Sequence, residues 1–153
     1  MANSVPNSAK VMYLKGQLHL SDKAGTGAVD SLKMILMIEG FVFDKDSHHA
    51  YADVIASEVA NGNGYTTGGI ELTGVACAVD NTNDLGSVTW NNVQWDVVTG
   101  NVAASGSIIY DDTTDSATED YTDAIISYKD AGGVINASPG TPIIISGVKE
   151  TAS

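Results

Sequence analysis

The sequence predicts a mainly antiparallel β fold, a β-sandwich or jelly-roll-like domain that carries a short N-terminal helix or arm. Runs of β-branched and aromatic residues alternate with polar residues at a period of two, which is typical of strands with one buried face. Gly, Ser, Thr, Asn and Asp are spread along the whole chain, as in a domain of short strands joined by turns. Helices and strands do not alternate regularly, which argues against a doubly wound sheet.

The length of 153 residues suits one domain with a substantial core. We expect an N-terminal arm over residues 1–10, a β-rich domain over 11–148 and a C-terminal tail over 149–153. Near the start, Ser8 is a candidate helix N-cap, and Gly16 is a candidate for the left-handed residue that ends the helix. A helix this short is marginal in isolation, so an extended arm stays open as the alternative.

Two strands are predicted in the first half of the chain. Residues 31–38 form an apolar run whose one face carries Leu32, Met34, Leu36 and Ile38. Residues 69–80 predict a second strand with a bulge at Gly74. One face of that strand carries Val75, Cys77 and Val79. Because this face is apolar, we expect Cys77 to be a buried, unreactive thiol, and a single cysteine excludes an internal disulfide.

Residues 87–98 carry two sets of apolar residues in opposite phases. The first set is Val88 and Trp90, and the second is Val93, Trp95 and Val97. Because a shift by one residue reverses every side chain of a strand, we predict a bulge or corner at Asn91 and Asn92. Further β-branched runs over 100–112, 123–130 and 142–148 bring the expected total to about seven or eight strands.

The charge narrows the possible partners. The formal net charge is −12, from 19 acidic against 7 basic residues, and arginine is absent. Between Asp46 and Tyr128 there is no lysine either. Nucleic acids and anionic membranes, which proteins bind through Lys and Arg, are therefore not expected partners. No apolar run approaches the ~18 residues that a membrane span needs, and we expect no signal peptide.

The stretch G-N-G-Y-T-T-G-G, residues 62–69, invites comparison with phosphate-binding loops. A P-loop ends in a Lys-Ser/Thr pair and leads into a helix, whereas here no lysine is near and strand-type residues follow. We therefore predict a structural turn that leads into a strand, built by Gly62, Gly64, Tyr65, Gly68 and Gly69. The glycines would supply positive φ or close backbone approach, and Tyr65 would pack its ring and bond its hydroxyl.

Two acidic segments are candidate metal sites: residues 44–53, which include His48 and His49, and residues 111–123. Zinc sites favour spaced histidines, and only Asp44 and Asp46 fit the start of the EF-hand pattern. Solvated loops are the favoured interpretation of both segments. We predict no metal, no cofactor and no catalytic residue, while a small hydrolase or metal-dependent enzyme stays open as an alternative.

Residues 51–72 resemble a stretch found in small structural proteins of tailed bacteriophages. The matching positions are Tyr51, Asp53, Val54, Glu58, Val59, Gly62, Gly64, Tyr65, Thr66, Gly68, Gly69 and Leu72. The runs V-T-W-N-N-V-Q-W-D-V, S-I-I-Y-D-D and D-A-I-I-S-Y-K-D-A-G-G resemble later strands of that family, so the resemblance spans roughly residues 11–148. The chain departs from the family where an arginine often precedes the I-I-Y strand, which puts any arginine-mediated contact in doubt.

The resemblance implies a virion structural protein without a catalytic role, assembled in the host cytoplasm and located in the phage particle. The favoured form is a capsid-surface decoration or cement protein, whose partners are the major capsid protein and copies of itself. The alternative is a tail or fibre-associated module that recognises a host-surface glycan through loop aromatics such as Tyr65 and Tyr121.

Overall fold

The computed structural model describes residues 3–20, 29–82, 85–113, 120–146 and 150–152. In these ranges strands dominate and all strand pairs are antiparallel. The longest described helix has nine residues and lies near the N-terminus. The predicted mainly-β class is therefore confirmed.

The helices and strands follow one another along the chain, and the strands belong to three sheets. They are β1 (Asn3–Ser4), α1 (Asn7–Lys15), β2 (Leu32–Met37), α2 (Tyr51–Val54) continued by a 3₁₀ turn (Ile55–Ser57), β3 (Ile70–Glu71), β4 (Ala76–Asp80), β5 (Leu85–Thr89), β6 (Val93–Trp95), β7 (Val102–Asp111), β8 (Ile125–Ala137), β9 (Ile143–Ile145) and β10 (Glu150–Ala152). The main sheet has the strand order β1-β8-β7-β2-β3. A three-stranded sheet, β10-β5-β4, and a two-stranded ribbon, β6-β9, complete the fold.

Strand β2 lies inside the main sheet and is buried on both faces. Its residues Leu32, Met34 and Leu36 belong to the larger hydrophobic core, which also contains both tryptophans. Its alternate residues Ile35 and Met37 belong to a smaller core on the other face, covered by Phe41, Phe43 and Tyr51. Ile38 was expected to extend the first face but lies beyond the end of the strand, half exposed.

The corner predicted at Asn91 and Asn92 is confirmed. Strand β5 ends at Thr89 and β6 begins at Val93, and the two strands belong to different sheets. The chain thus changes sheet between the two apolar phases. As a result, Trp90 and Trp95 both pack into the larger core although their sequence phases are opposite.

The N-terminal helix forms, and Gly16 ends it in the left-handed conformation with φ 68°. The predicted N-cap is wrong, because Pro6 occupies that position and Ser8 lies buried in the first turn. The expected arm, 1–10, does not end at an element boundary. From residue 3 onward it is part of the fold, since Asn3 and Ser4 pair with β8 and residue 10 lies inside α1.

The expected C-terminal tail, 149–153, also contributes to a sheet, because β10 pairs with β5. The expectation of a buried Cys77 is wrong: the thiol is exposed. Cys77 lies opposite the buried Val88 and therefore on the face that the alternation predicted. However, β4 is the outer strand of the three-stranded sheet, and the core does not extend far enough to cover it.

Candidate functional site

The glycine-rich stretch, residues 62–69, begins with a two-residue hairpin turn. The N–H of Gly62 donates to the carbonyl of Tyr65, and the N–H of Tyr65 donates back to Gly62, both at 2.8 Å. The central residues Asn63 and Gly64 both have positive φ, 57° and 96°. This is the Asn-Gly combination that type I′ turns require.

A second turn follows at once. The N–H of Gly69 donates to the carbonyl of Thr66 at 3.0 Å, and Gly68 has φ 90° at the third position of the turn, where a type II turn needs glycine. Strand β3 then begins at Ile70 and pairs with β2. The stretch therefore leads into a strand, and not into the helix that a phosphate-binding loop would supply.

Two of the glycines lie where a side chain has no room. A Cβ built on Gly64 would lie 1.9 Å from the carbonyl oxygen of Asp96, and one built on Gly69 would lie 1.9 Å from that of Met34. Real Cβ atoms do not approach backbone oxygens so closely, so only glycine fits at either position. These approaches join the turns to the Asp96 segment on one side and to the central strand β2 on the other.

The carboxylate of Glu58 holds the turns from inside. It accepts hydrogen bonds from the Tyr51 hydroxyl at 2.5 Å, the Tyr65 hydroxyl at 2.7 Å and the backbone N–H of Gly68 at 2.8 Å. Glu58 is only 7% exposed. Because all three donors are neutral, the site satisfies a buried carboxylate by hydrogen bonding and not by an ion pair.

Tyr65 connects this carboxylate to the main sheet. Its ring is 2% exposed, and its hydroxyl also accepts the N–H of Leu36 in β2 at 3.1 Å. A sugar-stacking role for Tyr65, expected if the protein were a glycan-binding module, is therefore wrong, because the ring is not accessible. Tyr110 adds a further link, since its hydroxyl donates to the carbonyl of Gly68 at 3.0 Å and its ring stacks on Tyr51.

The electrostatics of the site oppose proton transfer by its tyrosines. Burial raises the pKa of Tyr65, and the hydrogen bond to Glu58 raises it further. The same two causes raise the pKa of Tyr51. Burial also raises the pKa of Tyr110, assisted by the nearby charge of Asp112. A tyrosine that acts as a base needs a lowered pKa, so this arrangement is suited to holding backbone segments in place.

Alkaline pH is expected to destabilise the fold. An unfolded tyrosine loses its proton near pH 10, whereas burial keeps Tyr65 and Tyr110 protonated in the fold. Above about pH 10 the unfolded state binds fewer protons than the folded state, so the free energy of unfolding falls as pH rises. Each buried tyrosine contributes a slope of about 1.4 kcal/mol per pH unit.

Urea unfolding at a series of pH values from about 8 to about 11 measures this slope. Tyr110→Phe removes one titrating hydroxyl while keeping the ring, so it should make the decline shallower. An unfolding free energy that stays constant across this range would contradict the raised pKa values.

Other residues of the segment 51–72, which resembles phage proteins, also hold the fold together. Asp53 accepts the N–H groups of His49 and Ala50 at the start of α2, both at 2.9 Å. The N–H of Val59 donates to Leu36, and that of Leu72 donates to Leu32, at 2.9 and 2.8 Å. Val54 is fully buried in the smaller core. The segment therefore works as a joint that fastens two loops to β2.

The first candidate metal segment, residues 44–53, is held by hydrogen bonds among its own residues. In residues 44–53, the Asp44 carboxylate accepts the N–H of Asp46 and the hydroxyl of Ser47, at 2.9 and 2.7 Å. These hydrogen bonds hold the pKa of Asp44 below its usual value. Nδ1 of His48 accepts the N–H of Asp44, so the segment closes on itself.

Of the second segment, residues 114–119 lie outside the described residues. Within the described part of that segment, Asp111 is fully buried and accepts the N–H of Thr113 at 2.8 Å. Among the residues that the structure describes, no group of three or more His, Cys, Asp or Glu side chains is arranged to hold a metal ion.

A feature that the sequence did not reveal is an aromatic group formed by Phe41, Phe43, His48 and Tyr128. The rings of Phe41 and His48 stack at 5.5 Å, and those of Phe43 and Tyr128 stack at 5.1 Å. Tyr128 is buried, while the three loop residues are partly exposed. The only hint in the sequence was the alternation F-V-F, because Tyr128 comes from a distant strand.

Comparison of the chain with protein-family models, with curated proteins and with solved structures finds no match. The resemblance to phage structural proteins therefore rests on the residues of this chain alone. In the part of the chain that the structure describes, no helix is long and apolar enough to cross a membrane.

Proposed function

We propose that the chain is a structural component of a phage virion, and specifically a capsid-surface decoration protein that binds the major capsid protein. The observation that carries the proposal is the structural role of residues 51–72, the segment that resembles phage proteins. Glu58, Tyr65, Gly64 and Gly69 fasten loops to the central strand by hydrogen bonds and close backbone approach. Proteins that share an architectural role, and not a reaction, are expected to share residues that build the scaffold.

The surface of α1 supports a partner-binding role. Leu14 is 89% exposed on this helix, and Val11 is half exposed one turn earlier. Lys10 and Lys15 flank these apolar side chains, and Lys15 forms an ion pair with Asp120 at 2.6 Å. An apolar surface with Lys10 at its border fits an apolar partner that carries a carboxylate. We propose that this side of α1 contacts the capsid shell. Many equivalent copies bind there, so each single contact can be weak.

The proposal is tested on purified particles from the phage that encodes the chain. We expect the protein in an amount comparable to that of the major capsid protein, measured by quantitative mass spectrometry. Leu14→Asp should lower the number of copies per particle, because it places a carboxylate in the apolar contact while leaving the core intact. Val42→Asp, at a position 79% exposed in a loop, is the matched control and should leave the occupancy unchanged.

Absence of the protein from the particles would overturn the virion proposal. Full occupancy of the Leu14→Asp protein would overturn the assignment to α1. A deletion of residues 1–10 is not a suitable test, because it removes β1 and part of α1.

The second candidate function is a tail or fibre-associated module that binds a host-surface glycan. The aromatic group favours it, because partly exposed rings such as Phe41 and Phe43 can stack against a sugar. The same measurement separates the two candidates. A tail or fibre component is present in far fewer copies than the major capsid protein, whereas a decoration protein approaches its number.

A further inference from the structure

Strand β4 is an edge strand in the part of the chain that the structure describes. It is the last strand of the three-stranded sheet, and within the described residues it pairs with β5 alone. Its side chains from Ala76 to Val79 are exposed on both faces, and Val79 is 78% exposed. An open edge presents unpaired backbone N–H and C=O groups, which are a template for another strand.

The edge also lacks the features that usually protect such strands. Charged side chains, proline and bulges normally keep edges apart. Residues 72–79 contain no charged side chain and no proline, in a chain with 19 acidic residues. In a chain whose net charge is −12, this uncharged segment can approach its own copy without charge repulsion.

The sequence of the edge is symmetrical. Residues 75–79 read V-A-C-A-V, which is the same in both directions. The segment is bounded by Gly74, whose φ of 65° interrupts the extended backbone, and by Asp80, the first charge. A two-fold axis between antiparallel strands pairs each residue with its mirror position, which for this segment means valine with valine and alanine with alanine.

We propose that β4 pairs with β4 of a second copy of the chain, antiparallel, with a two-fold axis at Cys77. The pairing would join two three-stranded sheets into one six-stranded sheet across two chains. Val75 then lies opposite the second copy's Val79, and Cys77 lies opposite its own counterpart. The dimer is a property of the purified chain, so it stands or falls independently of the proposed role in a virion.

The pairing predicts a weak dimer. A single pair of short strands covers less surface than a standard protein interface, so we expect association in the micromolar range or weaker. Opposite residues in antiparallel strands have Cα atoms about 4.5–5.5 Å apart, which lies within the range that a disulfide spans. The exposed Cys77 therefore reports directly on the register.

Sedimentation equilibrium under reducing conditions tests the dimer. We expect the wild-type chain to dimerise with rising concentration, and Cys77→Ser to do the same. Cys77→Asp places two carboxylates directly opposite each other, and Val79→Glu adds a charge at each end of the pairing. Each should raise the dissociation constant by about tenfold or more. Val42→Asp carries the same added charge away from the edge and should dimerise like the wild type.

Both edge substitutions fall at exposed positions, and an unchanged melting temperature of the monomer confirms that each variant folds. Mild oxidation of the wild-type chain should convert the dimer into a covalent one that Cys77→Ser cannot form. A wild-type chain that stays monomeric at all concentrations would overturn the proposal. So would a dimer that persists unchanged in both Cys77→Asp and Val79→Glu, or one that oxidation fails to link.

Discussion

Gly69→Ala is expected to destabilise the protein by about 2–6 kcal/mol, a large part of the stability of an ordinary domain. Two costs add together. The backbone of Gly69 has φ 75°, which strains any residue with a Cβ, and that Cβ would lie 1.9 Å from the carbonyl oxygen of Met34. Because Met34 lies in the middle of β2, between two strands, its backbone cannot move aside cheaply.

Two other glycines separate these costs. Gly40 has a similar φ of 81° but no atom within 4 Å of its Cβ position, so Gly40→Ala measures backbone strain alone, about 1–2 kcal/mol. Gly133 has neither the positive φ nor a close neighbour, and Gly133→Ala should be nearly neutral. Urea unfolding of the three variants gives the comparison. If Gly69→Ala costs no more than Gly40→Ala, the close approach to Met34 is not present in solution.

Glu58→Ala is expected to cost about 3 kcal/mol or more. The substitution leaves the hydroxyls of Tyr51 and Tyr65 and the N–H of Gly68 without their acceptor, and each buried unsatisfied donor carries a penalty. Glu58→Gln should cost less, because the amide keeps one acceptor oxygen but turns a donor toward the others. Thermal or urea unfolding measures both variants.

Glu39→Ala is the matched control, because Glu39 is exposed and its removal leaves no donor buried. A double-mutant cycle between Glu58→Ala and Tyr65→Phe measures the coupling of the two side chains, because each single substitution removes their shared hydrogen bond. Additive effects in that cycle, or a Glu58→Ala protein as stable as the Glu39→Ala protein, would contradict the role of Glu58 in holding the turns.

Local patterns predicted much of this fold. The period of two placed Leu32, Met34 and Leu36 on one face. The reversal of phase located the corner at Asn91 and Asn92. Both signals come from residues that are neighbours in the chain. The turns of residues 62–69 were predictable for the same reason, since positive φ is a local demand that glycine and asparagine meet.

Other features depend on how the folded segments pack against one another, which local patterns do not show. Glu58 looks like any other acidic residue, because its three donors are brought to it only by folding. Cys77 was assigned the correct face of its strand but the wrong exposure, since alternation does not show how far the core extends. Ser8 was a reasonable cap, yet the cap lies two residues earlier, at Pro6, and the helix begins at Asn7.

The pairing of β1 with β8 has a consequence for the order in which the protein can fold during synthesis. Asn3 pairs with Lys129, so β1 cannot pair until a residue 126 positions later in the chain has been made. Strand β2 likewise waits for β7. A nascent chain that has reached residue 100 still carries the apolar strand β2 without its main neighbour. We therefore expect the sheet to assemble slowly, because its contacts join residues far apart in the sequence.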